Sequence, residues 1–159
     1  MLKRIPLCSA FTLLESGPVV MLSVHDGRKN NLMTLSWHMI LDFSPRIAIC
    51  TVAWNYSFSM LMKTKECVIC IPAADLLEKT VRVGMVSGRD TDKFEKFGLT
   101  GLPADTVQPL LVKECIGCIE CRVTDYIEKH NIIILEGTVA WLDDSRNERR
   151  VCHAVGNGK

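Results

Sequence analysis

Two fingerprints that usually mark a nucleotide site are missing from this chain. No Gly-x-Gly-x-x-Gly opens a helix and there is no P-loop, so a dinucleotide, if used, is held by other means. The sequence also has no Gly-x-Ser-x-Gly elbow and no His-Glu-x-x-His pair, the usual signatures of serine hydrolases and zinc peptidases. No apolar run approaches the ~20 residues that cross a bilayer as a helix. The opening Met1 to Cys8 carries a basic pair but no signal-like apolar stretch with a cleavage site. Formal net charge is +1, with no basic cluster beyond Arg149-Arg150, so the electrostatic footprint of a nucleic-acid binder is absent. The expectation is a cytoplasmic protein that engages neither membrane nor nucleic acid.

What remains is apolar and compact in character. The 159 residues are 48% hydrophobic, enough for one domain over 1–159 with a well-buried core and an apolar subunit interface. No repeat, linker or low-complexity segment divides the chain. Eight cysteines raise the question of a disulfide scaffold, but most lie in strand-like apolar runs such as Val68-Ile69-Cys70-Ile71. Reduced thiols behave there as small buried hydrophobes. Cys115-x-x-Cys118-x-x-Cys121 resembles the start of an iron–sulfur run, yet Asp125 and Tyr126 stand where a fourth cysteine and a proline belong. On a strand, Cys118 would face away from Cys115 and Cys121. Cys67-x-x-Cys70 sits in a strand rather than at the helix N-terminus that a redox motif requires. No metal site is expected.

Hydrophobic periodicity predicts strands at 19–24, 31–39, 46–52, 66–71, 110–112, 118–127 and 132–142. A helix is expected over 57–65, with Ser57 as a possible cap, and a second over 73–85 with Leu76, Leu77, Val81 and Val83 on its apolar side. Residues 87–101 are polar and Gly-punctuated, with one short amphipathic turn around Phe94 and Phe97. Strands dominate both ends and helices sit between them. That order predicts a mainly β fold, a barrel with helical insertions, rather than alternating βα units.

Three segments combine hydroxyls, amides and free backbone N–H groups with an aromatic or apolar wall. They are Asn30 to Trp37, Thr51 to Ser57 and Ser87 to Phe94. A planar ring with a polyhydroxyl phosphate tail needs that mixture. Each has an ordinary reading too. Thr34 and Ser36 alternating with Leu35 and Trp37 also describes a half-buried strand. Asn55, Tyr56 and Ser57 stand where a strand enters a helix, suited to a phosphate or to simple capping. Lys93 could neutralise phosphate or be a solvated charge. His130 is either near a cofactor or an exposed turn residue.

The order of these motifs resembles the flavin reductase-like family, and its flavoredoxin branch most. The resemblance is carried by Asn31-x-Met33-Thr34-x-Ser36-Trp37, a strand following Pro45, Asn55-Tyr56-Ser57, the Gly88-to-Phe94 loop, and His130 through Val139. It spans roughly Gly17 to Leu142. It implies an FMN-binding split β-barrel that works as a homodimer with the flavin near the interface. By position, Asn31, Met33, Thr34, Leu35, Ser36 and Trp37 would line the isoalloxazine and ribityl side. Thr51, Val52 and Ala53 would run beside the cofactor, and Asn55 and Ser57 would approach the phosphate. Gly88, Arg89 and Lys93 would close over the tail or ring. His130, from this subunit or the other, would lie near the flavin and is the candidate catalytic residue. Family members usually continue past the segment matching His153 to Gly158 with aromatic residues that cover the flavin, so a missing tail is one expectation.

The resemblance leaves two activities open. One is an oxidoreductase moving electrons from NADH or NADPH through FMN to a small-molecule or protein acceptor. The other is a flavoredoxin-type carrier that holds FMN tightly and does not itself turn over NAD(P)H. Backbone donors around Thr34 to Trp37 would stabilise reduced anionic flavin in either case.

Overall fold

A computed structural model describes residues 1–156. Asn157 and Gly158, the end of the family-like C-terminal segment, and Lys159 lie outside the described residues. Ten strands and three α-helices follow in order: β1 Lys3–Ile5, β2 Val20–His25, β3 Asn30–Leu35, β4 His38–Ile40, β5 Arg46–Cys50, α1 Tyr56–Thr64, β6 Glu66–Ile71, α2 Leu77–Met85, α3 Lys93–Phe97, β7 Gly101–Leu102, β8 Leu111–Val112, β9 Gly117–Ile127 and β10 Ile132–Leu142. The main sheet runs β3-β2-β6-β9-β10-β5-β4, all antiparallel, and β1 joins the outer half of β10. It is a split β-barrel with helical insertions, the expected fold class.

The expected strand 31–39 is two strands, and the break explains the barrel. β3 and β4 stand at opposite ends of the sheet order, yet only Ser36 and Trp37 connect them. Three peptide steps reach at most about 11 Å, so the sheet must roll until its two ends almost meet. Skipped partners at Thr124 and Thr138 in the β9–β10 register mark bulges, which add the local twist that rolling needs.

The interior and one outer face are both covered. Val20, Leu22 and Val24 point inward with Ile69, Ile119, Ile133 and Leu135, and Met60 and Leu61 of α1 close over them. Met21, Leu32, Val68 and Cys70 point outward beneath Val83 of α2 and Phe97 of α3. Strands β2 and β6 are therefore mainly apolar on both faces, with Ser23 buried among the apolar residues of β2, because neither face meets water. Each fully buried Leu or Ile contributes about 1.5–3 kcal/mol. Glu120 is a buried carboxylate on β9. Its carboxylate accepts from Asp105 N, Thr106 N, Thr106 Oγ1 and Trp141 Nε1 at 2.6–3.0 Å, pinning the 103–106 loop to β9.

Several boundaries differ from the periodicity. The 73–85 segment begins as a 3₁₀ turn, Ala74–Leu76, before α2, and its buried side is Leu76, Thr80 and Val83. Leu77 and Val81 are instead exposed. The Phe94–Phe97 turn is a true short helix, capped by Asp92 Oδ1 accepting from Glu95 N at 3.1 Å and closed by Gly98 at φ 55°. β1 and a 3₁₀ segment at Leu7–Leu13, with Ala10 and Leu14 in the core, were not predicted.

All eight cysteines are free thiols. Cys121 does face away from Cys118, but Cys115 lies before β9 begins and packs with Cys118 and Cys70 on the outer face. Burial raises the pKa of Cys70, Cys115 and Cys118, and for Cys121 the contact with Cys67 adds to burial in raising it.

Candidate functional site

Two cavities meet along β3. The first, of about 360 Å³, runs between Met33–Trp37, Cys50–Val52, Asn55 and the His130–Asn131 turn. The second, of about 440 Å³, lies between Met33, Thr34, residues 54–57 at the start of α1, residues 84–89 after α2, and Lys93. Met33, Thr34 and Asn55 belong to both, so the two form one bent cleft.

The second limb is built for an anion. Asn55 takes the N-cap position of α1 in place of Ser57, but makes no side-chain cap bond. Its Nδ2 donates instead to Thr51 Oγ1 at 3.0 Å. The first N–H groups of α1 are thus left for another acceptor, at the positive end of the helix. Ser57 is buried, and its Oγ accepts from Asn31 Nδ2 at 2.9 Å, which leaves its own proton free to donate. Asn31 Oδ1 is buried without a partner. A Cβ on Gly88 would stand 1.9 Å from that oxygen, so only glycine lets the loop after α2 lie against Asn31.

Two cations, Arg89 and Lys93, line this limb and a third, Lys29, stands behind its loop; none pairs with a carboxylate among the described residues. Lys29 Nζ donates to the carbonyls of Gly88 and Arg89 at 3.0 and 3.1 Å, fixing the loop. Lys29 and Arg89 both lie over the Tyr56 ring, 5.0 and 5.7 Å from its centroid. Lys93 is only 4% exposed, which corrects its reading as a solvated charge. Its Nζ donates to Leu32 O of β3 and Val83 O of α2 at 2.7 and 2.8 Å. Burial without a counter-charge lowers its pKa to about 8.

The first limb is the more apolar. Trp37, 71% exposed, lies on its edge, and Thr51 N donates to Asn131 O at 3.3 Å, holding the turn against β5. Asn131 adopts φ 52° there, a left-handed conformation that Asn tolerates better than most residues. His130 is exposed and borders this limb from the same chain.

Of the residues anticipated from the sequence, Met33, Thr34, Leu35, Ser36, Trp37, Thr51, Val52, Asn55, Ser57, Gly88, Arg89, Lys93 and His130 line the cleft. Asn31 lies behind Ser57 and Gly88 rather than on the surface of the cleft. Ala53 is exposed and borders neither limb. Sequence reasoning missed Cys50, Gly84 to Val86 and, behind the loop, Lys29; it singled out the segments that hold Trp54, Ser87 and Asn131 but gave those residues no role. The Asn at a turn after a 3₁₀ segment was the one legible signal among them.

A bent cleft with one more apolar limb and one cationic limb at a helix N-terminus can take an extended ligand, apolar at one end and anionic at the other. The flavin reductase like domain matches residues 14–156, and the chain belongs to that family. An uncharacterised Escherichia coli protein, YddH, is 32% identical over 123 residues, 75% of this chain and 65% of its own length. The chain spans less than two thirds of the length of the curated relatives it matches first. Among solved structures, an FMN-binding domain of a flavin reductases-like enzyme from Shewanella baltica superposes with a TM-score of 0.91 at 22% identity, covering 100% of this chain and 92% of its own. Flavoredoxin of Desulfovibrio vulgaris (Miyazaki F) gives 0.77 at 26% identity, covering 85% and 75%. No helix among the described residues is long and apolar enough to cross a membrane.

Proposed function

We propose that the chain binds FMN in the bent cleft and acts as an oxidoreductase that passes electrons from NADH or NADPH through the flavin to an acceptor. The observation that carries this reading is the junction of the two limbs at Met33, Thr34 and Asn55. The residues present fit the group. The more apolar limb suits a tricyclic ring, and the other limb offers unfilled α1 N–H groups, the Ser57 hydroxyl and Lys93 to a phosphate. Bound FMN supplies hydride and one-electron chemistry. The chain's own residues bind and orient it: Asn31 aims Ser57, Gly88 lets the loop approach, and Lys29 holds that loop closed. His130 borders the ring limb as a candidate proton donor.

A carrier role of the flavoredoxin type is the second reading, favoured by the 26% identity and shared fold with flavoredoxin. We also propose a cytoplasmic homodimer. Trp37, Met39, Leu41 and Phe43 are exposed in series at the edge formed by β4, and Trp37 joins that row to the ring limb, so a second copy would adjoin the flavin.

Purified protein titrated with FMN should quench flavin fluorescence with saturation at one FMN per chain. Absence of binding, together with absence of co-purified yellow flavin, sinks the proposal. Anaerobic addition of NADH or NADPH then separates the two activities. Bleaching of bound flavin within turnover times supports the oxidoreductase, and inert flavin that dithionite still reduces supports the carrier.

A further inference from the structure

The outer rim of the anion limb carries more than a single phosphate needs. A phosphate monoester bears roughly 1.5 to 2 negative charges near neutral pH. The buried Lys93 and the positive end of α1, worth about half a charge, come close to that. Arg89 and Lys29 are exposed by contrast, both over the Tyr56 ring, and Trp54 and Met85 border the same limb. We propose that this rim binds a purine nucleotide, with the base stacked on Trp54 and the phosphate held by Arg89.

Three observations converge on this. First, Trp54 is 82% exposed and Met85 77%, one on the α1 side and one on the α2 side of the same cavity. Large apolar side chains left in water around a cavity offer contact to a flat group. An indole stacks any base, and a thioether packs well against an aromatic ring. Second, the Arg89 guanidinium makes no hydrogen bond or ion pair among the described residues. Only its backbone is engaged: the N–H donates to Ser87 Oγ at 3.2 Å and the carbonyl accepts from Lys29 Nζ at 3.1 Å. The residue is thus anchored, the Tyr56 ring supports its guanidinium 5.7 Å from the ring centroid, and its fork of donors stays open to a phosphate. Third, there is room. The limb of about 440 Å³ is continuous through Thr34, Gly84 and Met85 with a cavity of about 310 Å³ beside α2, so a phosphate at Ser57 and Lys93 does not fill it.

Chemistry narrows the occupant. An acidic peptide answers the cations but leaves Trp54 and Met85 bare. An apolar ring answers those two side chains but not Arg89. A nucleotide joins a flat base to a phosphate through a ribose and satisfies both, and a purine covers more of the indole than a pyrimidine does. The same chemistry comes from two sources: a free purine nucleotide, or the adenylate end of a dinucleotide whose flavin half fills the cleft. The second source rests on the flavin proposal; the rim's affinity for the nucleotide does not.

Calorimetry on the full, flavin-free chain compares AMP with ribose 5-phosphate, which lacks the base, and with adenosine, which lacks the phosphate. AMP should bind at least about fivefold more tightly than either. Trp54→Ala should weaken AMP binding about five- to 150-fold, the span of one base–aromatic stack. Trp54→Phe should retain most of the affinity, and Arg89→Gln should lower it. Both side chains are exposed, so unchanged urea midpoints show the variants to be folded. FAD and FMN titrations then identify the source. FAD binding more tightly than FMN, with that preference lost in Trp54→Ala, assigns the dinucleotide. AMP binding to FMN-saturated protein, with FAD no tighter than FMN, assigns the free nucleotide. The proposal is overturned if AMP does not bind and FAD is no tighter than FMN, or if AMP affinity is unchanged in either Trp54→Ala or Arg89→Gln. A polyglutamate peptide that matches AMP overturns it too, since charge alone would then explain the rim. So does AMP displaced by FMN with FAD no tighter than FMN, which confines AMP to the deep phosphate position. Failure of FMN itself to bind defeats the flavin proposal and leaves the AMP result standing.

Discussion

Lys93 offers a quantitative test, because its burial leaves a sign that can be read in solution. In the ligand-free protein its pKa falls from 10.5 to about 8, through burial. A lysine whose folded-state pKa is depressed destabilises the fold while it stays charged, and the penalty is relieved as pH rises from the folded toward the unfolded pKa. A shift of that size corresponds to roughly 3 kcal/mol below pH 8. Relative to pH 7, about 1 kcal/mol should return by pH 9 and about 2.5 kcal/mol by pH 10. Lys93→Met removes the titration but leaves Leu32 O and Val83 O without their donor, at about 1–3 kcal/mol each. These two effects oppose each other at pH 7, but only wild type gains as pH rises, so the stability difference should move in favour of wild type by about 2.5 kcal/mol between pH 7 and 10. Urea denaturation of both proteins at pH 7, 8, 9 and 10 measures the difference, in which all other titrations cancel. A gap that stays constant across that range would refute the assignment of a charged, uncompensated Lys93. If FMN phosphate is the missing counter-charge, saturating FMN should flatten the same curve. FMN affinity should also fall as pH rises past 8.

Other sites give sharper single results. Gly88→Ala puts a methyl 1.9 Å from Asn31 Oδ1; it should displace Asn31 and cost about 1–3 kcal/mol, with FMN affinity falling at least tenfold. Wild-type midpoints in urea and in FMN titration would show the close approach to be unimportant. Glu120→Gln leaves one amide oxygen and two amide hydrogens facing four donors, and should cost about 2–4 kcal/mol; a smaller loss in thermal denaturation would mean that the 103–106 loop is held by other contacts. Native labelling with a thiol reagent should modify Cys8 first, since it is the exposed thiol, with Cys50 and Cys152 slower. Rapid reaction of Cys70, Cys115, Cys118 or Cys121 would contradict their burial.

The barrel was legible because β2, β6, β9 and β10 carry apolar runs bounded by turn residues, and their order excludes βα alternation. The break at Ser36-Trp37 was not legible. Alternation continues through it, and only the rolled sheet decides that the chain must change edges there. The Leu7–Leu13 segment was invisible for a related reason. Ala10 and Leu14 are buried by the barrel they help close, not by any local periodicity. In the cleft, Asn55 and Ser57 could be read from the strand-to-helix junction. Lys29 could not, because its partners are carbonyls about sixty residues away. Lys93 was placed in the correct loop with its exposure left open, and one short helix turns its side chain beneath α2.

The same crossing from β3 to β4 explains why one stretch of sequence borders so much of the site. A strand inside a sheet offers its two faces to two layers. At the seam of a split barrel, residues 33–35 pair with β2 on one side alone and Ser36 and Trp37 leave the ladder, so this stretch faces open space on more than one side. Thr34 thereby borders both limbs of the cleft and the cavity behind it, and Trp37 borders the ring limb and the apolar edge at β4. Hydrogen bonds from Thr34 to Thr80 O and from Lys93 to Leu32 O and Val83 O tie this seam to α2. A ligand that tightens the seam therefore acts on the strand edge, the helix and the cavity together.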